Sequence, residues 1–137
     1  MIKKKETTEK HVLVVDDEPQ LLELMSMCLE REGFQVQTAA DGQQALECLK
    51  GNQYDVIVID ILMPGMGGKQ LYQRMASDPV LRKYLDRIIV VSGDAFNEDT
   101  QSFIEDNCLA WLSKPFLLRE FKEKVRRVGC LESPGAR

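Results

Sequence analysis

Histidine and tryptophan each occur once in this sequence, at His11 and Trp111. A lone histidine cannot supply the imidazole cluster of a typical transition-metal site. His11 also lacks an acidic or cysteine partner nearby and reads as a strand-edge residue. The four cysteines, Cys28, Cys48, Cys108 and Cys130, include no Cys-x-x-Cys pair. That scatter argues against a thiolate zinc site or a disulfide framework and favours neutral thiols in a reducing, cytoplasmic compartment. No apolar run approaches the length that spans a bilayer, and the charged N-terminus lacks the apolar stretch of a secretory signal, so no direct membrane contact is expected. No basic stripe is present. The net charge is -4 with both signs interspersed, which argues against nucleic-acid binding. The run Lys3-Lys4-Lys5 is followed at once by Glu6 and Glu9 and reads as a solvated tail. Internal repeats and low-complexity segments are absent too.

What the sequence does contain is alternation. Its 137 residues fit one domain, and an apolar fraction of 44% is ordinary for a chain that buries a single core. Val12 to Val15 is a short β-branched run, the pattern of a strand buried on both faces. Pro19 suits the first turn of a helix in which Leu21, Leu24, Met25 and Cys28 recur at helical spacing, and Gly33 ends it. Phe34, Val36 and Thr38 alternate like a half-buried edge strand. Asp41 can cap a helix whose inward residues are Ala45, Leu46 and Leu49. A second apolar run, Val56 to Ile59, ends on Asp60 and leads into the loop Met63-Pro64-Gly65-Met66-Gly67-Gly68. A helix from about Lys69 to Ser77, a polar connection, a strand from Ile88 to Val91 ending on Ser92, and a polar helix from Glu98 to Asn107 follow. Ala110 to Leu112 is a brief strand interrupted by Lys114-Pro115. Leu117 to Val128 closes the pattern as a helix with Leu118, Phe121 and Val125 inward.

Five strands alternating with five helices predict a parallel sheet covered on both faces. The expected boundaries are a domain over 11–129, a tail or linker over 1–10 and a second tail over 130–137. In such a sheet, ligands bind outside the carboxyl ends of the strands. The residues that follow the apolar runs are Asp16, Asp17, Asp60, Ser92 and Lys114. Carboxylates gathered at one edge repel unless a cation sits among them, and Mg2+ favours such hard oxygen ligands. A carboxylate, an ammonium, a hydroxyl and a metal together are what a transferring phosphoryl group requires, since its stabilisation is mostly positioning and charge neutralisation. Asp60, on the expected central strand, is the natural nucleophile. Taken singly, each feature has a plainer reading. Asp16-Asp17 could cap a helix, Pro64-Gly65 could be only a turn, and Ser92 could be a cap. Five polar residues at one sheet edge are harder to assign to accident.

These stretches, VLVVDDE at Val12 to Glu18, VIVIDILMPGMGG at Val56 to Gly68, VVSGD at Val90 to Asp94 and SKPF at Ser113 to Phe116, resemble the receiver domains of bacterial response regulators from about His11 to Val128. The resemblance implies a flavodoxin-like three-layer sandwich with strand order 2-1-3-4-5. It implies that Asp17 ligates Mg2+ (or Mn2+) directly and Asp16 mainly through water. Asp60 takes the phosphoryl group and touches the metal, and Leu62 supplies a backbone carbonyl. Ser92 and Lys114 contact phosphoryl oxygens, and the Lys114–Pro115 peptide is cis. Ser92 and Trp111 stand at the positions of the family's conformational switch, although Tyr or Phe is commoner than Trp111, and Gly93 replaces a more usual alanine. Leu62 and Asp94 occupy positions that tune phosphoryl lifetime.

The reading that follows is a phosphoacceptor domain and not an enzyme, a monomer or weak dimer. A sensor histidine kinase or histidine phosphotransfer domain would serve it. The stretch from Ser92 to Phe116 is similar to receivers fused at the end of hybrid kinases, which would tether the domain through a membrane-bound partner. No output domain follows the closing helix, so DNA binding is not expected of this chain. The alternatives are a small aspartyl-phosphate phosphatase and a non-phosphorylated module of the same fold. Adjacent Asp16 and Asp17 do not match the Asp-x-Asp spacing of haloacid-dehalogenase-like phosphatases. Intact Asp60, Ser92 and Lys114 argue against the second. A flavin site would need a hydroxyl- and glycine-rich first loop, which is absent here.

Overall fold

The computed structural model describes residues 9–130. The Lys3-Lys4-Lys5 tail and residues 131–137 lie outside those bounds. The three apolar runs form the centre of the sheet as β1 (His11–Val15), β3 (Val56–Asp60) and β4 (Ile88–Ser92). The edges are β2 (Gln35–Ala39) and β5 (Ala110–Ser113). All pairings are parallel and the order is β2-β1-β3-β4-β5, the expected flavodoxin-like arrangement. The helices are α1 (Pro19–Arg31), α2 (Gly42–Gly51), α3 (Gly68–Ser77), α4 (Glu98–Asp106) and α5 (Leu118–Gly129).

Why the central strands read as unbroken apolar runs is visible in the packing. Alternate residues point to opposite faces, and both faces are covered. Val12, Val14, Val56, Val58, Ile89 and Val91 pack with Met25 and Leu29 of α1 and with Phe121 and Val125 of α5. Leu13, Val15, Ile57, Ile59, Ile88 and Val90 pack on the other face with α2, α3 and Ile104 of α4. Each such side chain contributes roughly 1.5–3 kcal/mol relative to exposure.

Local signals fix the helix ends. Pro19 starts α1. Gly33 takes a left-handed conformation (φ 97°) beyond its end, and the Phe34 N–H returns to Leu29 O at 3.1 Å. The Asp41 side chain accepts from Gln44 N at 2.8 Å and so caps α2.

Three expectations are corrected. Leu24, part of the expected helical repeat, is 46% exposed, because Met25 and Leu29 supply the buried face of α1. Thr38 is exposed, since β2 is an edge strand that only Val36 and Ala39 tie to the interior. The connection after α3 contains a 3-10 helix, Arg82–Arg87. Leu81, Tyr84 and Arg87 there are buried, a spacing of three that suits a helix with three residues per turn.

The register positions the chemistry. Val15 pairs with Ile59, so the next residues, Asp16 and Asp60, leave the sheet side by side. Asp60 pairs with Val91 and Ser92 with Ser113, which brings Ser92 and Lys114 to the same edge. The loop from Asp60 returns to α3 through Gly68, where an added Cβ would lie 2.7 Å from Asp60 O and 2.8 Å from Ile61 Cα. Backbone atoms cannot swing aside as a flexible side chain can. Gly68→Ala should therefore cost on the order of 1–3 kcal/mol in urea unfolding. Gly51→Ala, where nothing lies within 4 Å, should be neutral or stabilise by up to about 1 kcal/mol. Equal stability of the two variants would contradict this close approach.

Candidate functional site

Asp16, Asp17 and Asp60 each bring a carboxylate oxygen within 4.8 Å of the others, with Asp16 and Asp60 buried and Asp17 exposed. Asp16 does not cap a helix. Its Oδ1 accepts the Glu18 N–H at 2.9 Å and holds the turn out of β1, while α1 begins with no side-chain cap bond. Asp60 Oδ1 accepts the Leu62 N–H at 3.2 Å. The Leu62 side chain is exposed, so only its main chain is at the site.

Lys114 fills the space between these groups. Its Nζ lies 2.9 Å from Asp16 Oδ2, 3.1 Å from Asp60 Oδ2 and 3.1 Å from Glu18 Oε1. The backbone N–H of Lys114 donates to Ser92 O at 2.9 Å, and the Lys114–Pro115 peptide is cis. Glu18 was not among the expected site residues. It stands 96 positions from Lys114 in sequence, and its only signal there is that it follows the acidic pair.

Burial pushes the Asp60 carboxyl up to about 6, helped by the Asp16 charge and opposed by the Lys114 ammonium. Burial alone would lower Lys114. Hydrogen bonding to Asp16, with the Asp60 charge and the Glu18 contact, more than reverses this and holds the ammonium above its ordinary value. One ammonium therefore serves a set of carboxylates, and it does so incompletely. Asp16 Oδ2 is buried and pairs with the Lys114 Nζ at 2.9 Å. An all-oxygen donor set whose carboxylates outnumber the one ammonium beside them fits a small hard divalent cation.

Ser92 is buried at the same edge, yet its hydroxyl is turned to a different partner. Oγ donates to Asp94 Oδ1 at 2.7 Å and accepts the Asp94 N–H at 3.3 Å. Trp111, half-buried on β5, meets Phe96 of the β4–α4 loop edge-on, with centroids 5.9 Å apart and rings at 90°. The structure thus brings Asp16, Asp17, Asp60 and Lys114 into one group, sets Ser92 beside it, and leaves Trp111 at the loop. A cleft of about 390 Å³, lined mainly by Leu21, Leu24, Phe116 and Leu118, opens next to Lys114 and Glu18. His11 is at the opposite end of β1, where its backbone N–H donates to Asp55 Oδ2 at 2.9 Å.

Comparison with known proteins agrees with this fold. The profile of the response regulator receiver domain matches residues 12–126. The chain is 35% identical to response regulator GtcR of Aneurinibacillus migulanus over 109 residues, 78% of this chain and 42% of that protein. It is similar to the chemotaxis response regulator CheY4 of Vibrio cholerae (28% identity, TM-score 0.77, covering 88% of this chain and 99% of that one). It is also similar to response regulator TrrA of Thermotoga maritima, solved in complex with Mg2+-BeF (33% identity, TM-score 0.71, covering 87% and 98%). The chain spans about half the length of the curated relatives it matches.

The raised Asp60 value has a consequence for stability without metal. The folded state holds its proton more tightly than the unfolded chain, whose carboxyl titrates near the ordinary 3.8. The stability gained from protonated Asp60 is complete below about pH 4 and is lost as pH rises through about 6. In urea unfolding without divalent cations, Asp60→Asn should match the parent near pH 4 and exceed it at pH 7. Parent and variant with the same pH dependence would contradict the assignment.

Proposed function

The chain belongs to the response regulator receiver family, and from that premise we propose that Asp60 accepts a phosphoryl group from a phosphohistidine, assisted by Mg2+. The observation that carries the proposal is the buried Asp60 carboxylate with Lys114 Nζ at 3.1 Å and two further carboxylates beside it. An Asp60 oxygen forms the new P–O bond as the P–N bond to the donor imidazole breaks, and the electron pair stays on the nitrogen. Lys114 then moves its ammonium from the carboxylates to the phosphoryl oxygens, a short swing for a flexible point charge. Ser92 supplies its hydroxyl proton to another phosphoryl oxygen.

Asp17, Asp60 and the Leu62 carbonyl would hold Mg2+ (or Mn2+), with Asp16 acting through water. When bound, the cation supplies charge neutralisation for the carboxylates and the incoming phosphoryl oxygens. The crowding of negative charge around Asp60 supports this division, because the transfer adds more negative charge to a site that one lysine already serves incompletely.

The donor would be a sensor histidine kinase or a histidine phosphotransfer domain. The apolar cleft of Leu21, Leu24, Phe116 and Leu118 beside Lys114 supports docking of a protein surface over the site. The chain turns over no separate substrate, so it is a signalling domain in this reading. Ser92 and Trp111 carry the change of state to the surface. The functional unit is taken as 11–129. A cytoplasmic setting is supported by the four cysteines, all free. Among the described residues no helix is long and apolar enough to cross a membrane.

With acetyl phosphate and Mg2+, the parent should show one acid-labile phosphoryl adduct by intact mass, and Asp60→Asn should show none. A persisting adduct in that variant would sink the assignment. Asp17→Asn should weaken Mg2+ binding about tenfold or more, and more than Asp16→Asn does, as removal of a direct ligand outweighs loss of an outer one. Equal affinities in a titration of both variants would contradict this division.

A further inference from the structure

The Ser92 hydroxyl has one proton to donate, and in this structure Asp94 takes it. Oγ lies 2.7 Å from Asp94 Oδ1, and the Asp94 N–H returns to Oγ at 3.3 Å. The two bonds form a closed ring between residues i and i+2 at the end of β4, around a side chain that is fully buried. A bond to a carboxylate is charge-assisted and about twice as strong as a neutral one. The rest of the loop is pinned around this ring. Asn97 N–H donates to Asp94 O at 2.9 Å, the Asn97 side chain caps α4 through Asp99 N and Thr100 N, and Gln101 Nε2 donates to Ala95 O. Phe96 of the same loop stands edge-on to Trp111 while remaining 77% exposed.

We propose that Asp94 is a positioning residue that latches the Ser92 hydroxyl away from the phosphoryl seat, so that occupation of Asp60 must break the Ser92–Asp94 bond before Ser92 can engage. This rests on the reading of Asp60 as the phosphoacceptor. Asp94 and the phosphoryl oxygens compete for one proton, and the latch sets how much of the binding energy goes into switching the loop.

Two measurements on the full chain test the proposal. In the ligand-free protein, three-bond couplings should show one Ser92 χ1 rotamer in the parent and averaged rotamers in Asp94→Ala. A single unchanged rotamer in both would overturn the latch without any reference to Asp60. With Mg2+ and beryllofluoride, read by Trp111 emission and by titration, Asp94→Ala should bind about fivefold to tenfold tighter than the parent, and Asp94→Asn by a smaller factor. In a Ser92→Ala background the Asp94→Ala effect should vanish. If it persists there, Asp94 acts by plain charge repulsion and the latch is wrong. Beryllofluoride that fails to bind the parent would overturn the phosphoacceptor reading and the competition with it. Normal binding to the parent with no effect of Asp94→Ala would overturn the latch alone.

Discussion

Buried carboxylates held within 4.8 Å of one another would drive the sheet edge apart or take up protons if nothing stood between them. The Lys114 ammonium prevents this. It reaches Asp16, Asp60 and Glu18 at once, with no distance above 3.1 Å, and most of the site's arrangement follows from that contact. The ammonium keeps the Asp60 carboxyl from rising further than about 6, so at neutral pH the carboxylate is mostly ionised. Lys114 is one positive charge among several carboxylates, so the neutralisation is partial. A fully satisfied cluster would be inert. A wholly uncompensated one would destabilise the fold by several kcal/mol. The site sits between these limits because one mobile lysine does what a fixed cation would otherwise do.

Holding that balance needs a frame that does not yield. The sheet provides it through two dry faces, with α1 and α5 on one side and α2, α3 and α4 on the other. Parallel register then converts strand position into chemical position, so Asp16 and Asp60 emerge side by side with Ser92 and Lys114 next to them. The close backbone approach at Gly68 fixes the exit from β3 in the same way. The segment after β4 is held instead by the Ser92–Asp94 pair and the buried Ala95. Phe96 there is mostly exposed and touches Trp111 by an edge, a contact worth only about 0.5–1.5 kcal/mol beyond its buried area.

The sequence made the fold legible where both faces of a strand are buried, because such strands cannot alternate and appear as the runs Val12 to Val15, Val56 to Ile59 and Ile88 to Val91. The site was legible for the same reason, since each run ends on the residue that reaches the edge. Legibility failed where burial depends on partners far away in sequence. Leu81, Tyr84 and Arg87 are interleaved with Arg82, Lys83 and Asp86, so the segment reads as polar until a 3-10 geometry gathers every third residue inward. Leu24 fits the helical repeat of α1 yet faces the cleft beside Lys114. Glu18 meets a lysine that no local pattern could have paired with it. Ser92 shows a subtler failure, because sequence position located its hydroxyl but could not give the direction in which it points.

That direction decides how a charge at Asp60 could be felt elsewhere. A new anion on Asp60 must first attract groups already committed to other partners, Lys114 to three carboxylates and Ser92 to Asp94. Lys114 is tied to β4 by its own backbone N–H on Ser92 O, so its side chain can move while the main chain stays. Ser92 is different, because its hydroxyl partner is a loop residue whose backbone also accepts from Asn97, the cap of α4. Moving the lysine rearranges charge inside the site. Releasing the serine would free the loop that carries Phe96 against Trp111, which would give that response a mechanical path to the surface.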